Sequence, residues 1–280
     1  MGADYHIHMV LDGVDWRSAI ARHTEKVDIA WVRQTLSRYS RLGYTYLRDG
    51  GDRWGVSACG RQLAPEYGIT YRTPLAPISK AGHYGGFIGI QYEDLKSYVN
   101  LVKRHRQEGG DFIKIMISGL MDFDRFGVLT EPGMEAWEIQ ELIHIAHEEG
   151  FAVMAHANGA RTVEAAAKAG VDSIEHGAYL DQDALWAMQE AGTVWVPTLS
   201  TIGNLLGKGR FNDNAVMQIL DNALSNVAAF CQMGGLLAVG TDAGAWAVEH
   251  GCGTEEALLL RAGVTAQMLE QGGRCIENKF

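Results

Sequence analysis

Short β-rich stretches alternate with helical ones along the whole chain, and this rhythm constrains the fold more than any other feature. The strand candidates are 4–9 (DYHIHM), 44–49 (YTYLRD), 69–75 (ITYRTPL), 112–118 (FIKIMIS), 151–156 (FAVMAH), 172–176 (DSIEH), 193–198 (TVWVPT) and 236–241 (LLAVGT). Between them apolar residues recur at helical spacing. The helical segments 27–42, 133–149, 160–169 and 181–191 stop at Gly43, Gly150, Gly170 and Gly192. Glycine is the favoured residue just past a helix end. Asp181 and Asp183 open the fourth of these segments, and Asn212 or Asp213 opens a long helix over 214–233. Strands joined through helices run parallel. Eight such units in 280 residues predict an α/β fold, a (β/α)8 TIM barrel. The competing open, doubly wound sheet expects a GxGxxG turn after its first strand, and none is present. No linker, low-complexity segment or repeat beyond the βα rhythm breaks the chain, so one domain over 1–280 is expected. The long connections 77–91, 119–132, 199–212 and 243–253 all follow strands, which in a barrel is the face where active sites lie.

Composition removes several function classes. A net charge of −10 argues against a nucleic-acid partner, because an acidic surface repels phosphate. With 47% hydrophobic and 21% charged residues the chain is not disordered. No run approaches the roughly 18 apolar residues of a membrane helix, so no membrane partner is expected. The start, MGADYHIHM, has neither the basic nor the apolar region of an export signal. Cys59, Cys231, Cys252 and Cys275 form no CxxC pair and read as free thiols, which points to the cytoplasm.

Six polar residues stand at odds with their apolar strands. His6 and His8 form an HxH pair, and strand alternation puts both on one face, here the barrel interior. Two imidazoles so placed can grip a metal ion. Lys114 lies inside FIKIMIS, where burial favours the neutral amine. A neutral amine adds to carbon dioxide to give a carbamate, a carboxylate able to bridge two metals. His156 and His176 end their strands, and Asp242 follows LLAVGT. Taken singly, each has an ordinary explanation: a packing histidine, a buried ion pair, a turn aspartate. Together they fall on strands one, four, five, six and eight, and a barrel brings all of them to one end. Their nitrogen and oxygen atoms suit zinc or a similar divalent ion, one or two per chain.

These residues, with LRDGG, ISKAGHYGG, IKIMISG, MAHANG, GVDSIEHG, VPTLST and GTDAG, resemble the amidohydrolase superfamily of metal-dependent barrel hydrolases. Within it the chain is most similar to the imidazolonepropionase-like and prolidase-like branch, from about residue 4 to about residue 262. The resemblance implies that His6 and His8 hold the more buried metal with Asp242 nearby. It implies a carboxylated Lys114 bridging to a second metal on His156 and His176, with hydroxide between the metals as nucleophile. Asp242 would be the catalytic base. His83 would approach the substrate carbonyl, and Tyr84 and His250 would line the substrate pocket. Arg48 and Asp49 read as a structural ion pair. His144, His147, His23 and His105 read as solvated histidines in polar company, HIAH not being HExxH.

Members of that branch carry a small β-sandwich built from both flanks of the barrel. Here strand one starts near Met1 and the last segment, QMLEQGGRCIENKF, does not return to such a sandwich. A barrel without the sandwich is therefore expected, with apolar surface that favours a homo-oligomer. The function expected is hydrolysis of an amide-type C–N bond in a small molecule, a dipeptide or N-acyl amino acid. A lactonase, a phosphotriesterase, a cyclic-amide hydrolase and a non-catalytic metal-binding barrel are the alternatives.

Overall fold

All eight expected stretches hold a strand. The computed structural model describes residues 2–280. Its strands are β1 (Ala3–Ile7), β2 (Tyr46–Asp49), β3 (Thr70–Arg72), β4 (Ile78–Lys80), β5 (Ile90–Tyr92), β6 (Ile113–Met116), β7 (Val153–Ala157), β8 (Ser173–His176), β9 (Val194–Val196) and β10 (Leu236–Leu237). Every pairing between them is parallel. One sheet runs β1-β2-β3 and the other β10-β9-β8-β7-β6-β4-β5. Backbone hydrogen bonds stitch the two together at both edges. Tyr5 N donates to Val239 O, Asp242 N to His6 O and His8 N to Ala243 O at one, and Asp111 N donates to Thr73 O at the other. β3 and β4 share one position in the wall, the first pairing with β2 and the second with β6. The result is the expected (β/α)8 barrel.

β4 lies inside 77–91, expected as a plain connection, and β5 begins there and ends one residue beyond it. Each is only three residues long, too short to show alternation, and glycines separate them. The helices follow the glycine and aspartate signals closely. Asp28 caps Ile29–Arg41 by accepting from Trp31 N, Asp181 caps Gln182–Ala191, and Asn212 caps Asp213–Gln232. Ile29–Arg41 buries Val32, Leu36 and Tyr39, spaced as one helical stripe, against the barrel wall. Truncating such a fully buried leucine to alanine costs about 2–5 kcal/mol.

Alternation decides what enters the barrel. On β7, Met154 and His156 face inward while Val153, Ala155 and Ala157 pack on the helices. One end of the interior is filled by Tyr46, Phe112, Met154, Val194 and Val196, and Phe280 of the last helix closes it. The other end is left to polar side chains. Two histidines expected in solvent are buried instead. His105 lies on the inner face of Leu95–Glu108 and bonds Ala76 O and Leu101 O (2.8 and 3.1 Å). His23 sits under the first short helix, its Nδ1 accepting from Asp28 N. Their charged sequence neighbours point outward and hid this. The four cysteines are unpaired. Among the described residues no helix is long and apolar enough to cross a membrane.

Candidate metal centre

His6, His8, Lys114, His156, His176 and Asp242 all line one cavity of about 630 Å³. The cavity lies beyond the C-terminal ends of the strands. His6 and His8 come from β1 by alternation, and Asp242 reaches them because its backbone bonds β1 through His6 O. Asp242 Oδ1 is 3.4 Å from His6 Nε2 and 3.2 Å from His8 Nε2. The two Nε2 atoms are 3.4 Å apart. These three residues can offer one ligand atom each, all within 4.8 Å of one another.

The second half of the set is looser. His156 and His176 have ring centroids 4.5 Å apart, and His6 and His176 5.2 Å apart. His156 turns Nε2 toward Gly119 O at 3.2 Å, while Tyr84 packs against its ring. His176 would face outward by alternation, like Ile174 beside it. A left-handed backbone (φ 71°) turns it into the cavity. Thr198 and Asp242 share that conformation, φ 50° and 57°. Non-glycine residues held there cost roughly 1–3 kcal/mol each and gather at functional sites.

Burial sets the protonation. It pushes His6 down to about 4 and His156 to about 3, and holds His176 well below its ordinary value. These imidazoles are neutral at pH 7, as ligation requires. Burial works to raise Asp242, but His6, His8 and Lys114 hold its carboxyl below the usual range. Burial also pushes the Lys114 ammonium down to about 8. Its Nζ is fully enclosed and has no hydrogen-bond partner, and neither has His8 Nδ1. A buried amine with nothing to bond calls for a missing group. The donor set, four imidazoles, a carboxylate and an unpartnered lysine, fits a divalent metal ion.

Behind His6 stands a layer the sequence reading passed over. His6 Nδ1 donates to Glu175 Oε2 at 2.7 Å, which leaves Nε2 with its lone pair toward Asp242 and His8. Arg48 donates to Glu175 Oε1 at 2.8 Å, and Ser173 Oγ to the same oxygen at 2.6 Å. Burial would raise Glu175, but Arg48 and His6 hold it down to about 2. Arg48 is therefore not paired with Asp49. Adjacent strand residues face opposite ways, and Asp49 accepts from Met9 N, Gly51 N and the Tyr71 hydroxyl. The signal for Glu175 was present: a buried arginine in YTYLRD needs a carboxylate, and Ser173 and Glu175 share the inward face of β8. Thr198 Oγ1 does for His176 Nδ1, at 2.7 Å, what Glu175 does for His6.

Tyr84 lines the cavity. His83 stands at the surface, Nδ1 3.6 Å from Glu131 Oε2, outside the lining. His250 is buried beneath it, bonded to Leu11 O (2.9 Å) and near the Tyr39 hydroxyl (3.1 Å). His147 bonds Asp172 on the surface at 3.0 Å.

No family model matches the sequence. An uncharacterised protein of Mycobacterium tuberculosis is 36% identical over 196 residues, covering 68% of this chain and 52% of that protein. Ochratoxinase of Aspergillus niger is 31% identical over 147 residues, 50% of this chain and 30% of that one. The chain thus spans about half the length, or less, of these curated relatives. A solved Xaa-Pro dipeptidase with methionine in its active site matches with a TM-score of 0.78 at 21% identity, covering 99% of this chain and 75% of that chain. The structure of A. niger ochratoxinase matches with a TM-score of 0.76 at 21% identity, covering 95% and 67%. A prolidase complexed with N-methylphosphonate-L-proline matches with a TM-score of 0.75 at 20% identity, covering 99% and 74%. The resemblance carried by the sequence motifs and the barrel itself lead to the same place: the structural neighbours are proteins of the amidohydrolase superfamily, and this chain has their fold.

Proposed function

We propose that the protein is a metal-dependent hydrolase of amide-type C–N bonds in small molecules, with dipeptides and N-acyl amino acids as the substrate class. One observation carries the reading: the compact His6, His8 and Asp242 group at the strand ends, opening on a cavity of substrate size. His6, His8 and Asp242 would hold a zinc-like ion, and Lys114, His156 and His176 a second, with Lys114 as a carbamate. A divalent ion there supplies Lewis-acid polarisation of a carbonyl and makes water acidic enough to react near neutral pH.

The chain's own residues do the rest. Asp242 is ionised and faces the cavity beside two imidazoles, so it accepts a proton from the attacking water. As the C–N bond breaks it returns that proton to the leaving nitrogen. Glu175 keeps His6 in one tautomer and one orientation. The ring of Tyr84, packed on His156, walls the site from water. The unpaired cysteines support a reducing compartment such as the cytoplasm.

The test is a panel of dipeptides and N-acyl amino acids with zinc-loaded protein and with Asp242→Asn. Turnover is expected in the parent and should fall about 10²–10⁴-fold in the variant. No turnover across the panel overturns the substrate class, and equal turnover in the variant overturns the role of Asp242.

A further inference from the structure

The barrel end opposite the histidines is closed by a residue from outside the strands. Phe280 follows the helix Ala266–Lys279 and is buried. Its ring meets that of Phe112 edge-on, with centroids 5.1 Å apart. Several ties fix where it lies. Gly272 and Gly273 let the helix press onto the wall: a Cβ on the first would run into Leu237 O, and one on the second into the Tyr5 hydroxyl. Tyr5 donates that hydroxyl to Glu277 Oε1 at 2.8 Å, and Lys279 Nζ donates to Asp172 Oδ1 at 3.1 Å.

Arg48 lies between this plug and the metal centre. Its guanidinium carbon is 4.5 Å from the centre of the Phe280 ring and 6.0 Å from that of Phe112. All three nitrogens donate: Nε to Tyr5 O at 2.7 Å, Nη1 to Ser173 Oγ at 3.0 Å and Nη2 to Glu175 Oε1 at 2.8 Å. Those bonds lie in the guanidinium plane, and its faces can make none. What covers a face therefore decides whether the plane can tilt and whether water reaches it. Phe280 is that cover, and a cation over a ring is attracted more strongly where water is excluded. Contacts thus run from Phe280 through Arg48 and Glu175 to His6 Nδ1, 2.7 Å from Glu175 Oε2.

We propose that Phe280 is a positioning residue for the metal centre: its ring fixes the plane of Arg48, and Arg48 through Glu175 fixes His6. The expected effect on zinc rests on the metal-dependent reading above. The relay itself rests on geometry alone. Phe280 lies outside the cavity lining and touches no substrate.

The test compares Phe280→Ala, the milder Phe280→Leu and Leu36→Ala in the whole chain. Leu36 is fully buried on Ile29–Arg41, outside the barrel, and reports the effect of lost stability alone. Zinc affinity, read by competition with a chelator, should fall about ten-fold in Phe280→Ala and about three-fold in Phe280→Leu. In Leu36→Ala it should stay within about two-fold. In a Glu175→Gln/Arg48→Met background the relay is already cut, and Phe280→Leu should change zinc affinity by less than about two-fold. The proton on His6 Nδ1 gives a second reading, by NMR of metal-free protein. Identified by its loss in Glu175→Gln, it should move upfield in Phe280→Leu and stay in place in Leu36→Ala. Unchanged zinc affinity in the Phe280 variants, an equal loss in Leu36→Ala, or a loss that persists in the cut background overturns the proposal. If the parent binds no zinc, the metal-dependent reading falls and the His6 proton decides: a shift in Phe280→Leu keeps the positioning role, and a fixed resonance sinks it.

Discussion

Glu175 decides which nitrogen of His6 looks into the cavity, and Arg48 decides that Glu175 stays charged. The three are wholly buried, so their geometry is strongly enforced. Glu175→Gln should weaken zinc binding about 10–100-fold, read by competition with a chelator. It also strands the Arg48 cation, which should cost about 3–5 kcal/mol in urea unfolding. The double variant Glu175→Gln/Arg48→Met should recover stability without recovering zinc affinity. Recovery of both would mean that Glu175 serves the fold alone. Gly50 is a second case. A Cβ there would run into the His8 imidazole, so Gly50→Ala should move that ring. Zinc affinity should drop while stability falls by about 1–3 kcal/mol. Unchanged zinc affinity would show that His8 is not a ligand.

Connections between elements carry their own titrating groups. Glu255, at the start of Thr254–Arg261, accepts from Ser200 N and Ser200 Oγ (2.7 and 2.8 Å) and so ties that helix to the connection after β9. Burial raises its carboxyl to about 8, despite those hydrogen bonds. The folded chain therefore holds a proton that the unfolded chain releases near 4.5. Stability should fall as pH rises from that value to about 8 and level off above it. Glu255→Gln mimics the protonated form. Its melting temperature should match the parent near pH 5 and exceed it near pH 9. A constant difference across that range would contradict the assignment.

The barrel was legible because parallel strands covered on both faces read as short apolar runs, as FAVMAH and LLAVGT do. β4 and β5 were not, since three-residue strands between glycines leave no period to read. The site was legible where polar residues interrupt those runs, as Lys114 does in FIKIMIS. Arg48 interrupts YTYLRD in the same way, but its partner lies 127 residues on, and only the closed wall brings Glu175 to it. The glycine motif around His83 suggested a residue over the substrate, but the turn exposes His83 and sends Tyr84 inward.

All of this depends on the polar end of the barrel being a metal centre. The most direct measurement is elemental mass spectrometry of metal content per chain, on protein purified without chelator or histidine tag. One or two zinc-like ions per chain are expected, two with Lys114 carboxylated and one without. His6→Ala and Asp242→Ala should each lower the content while the protein stays folded. No bound metal, even after addition of zinc and bicarbonate, would mean that these residues form a buried polar cluster and not a catalytic site.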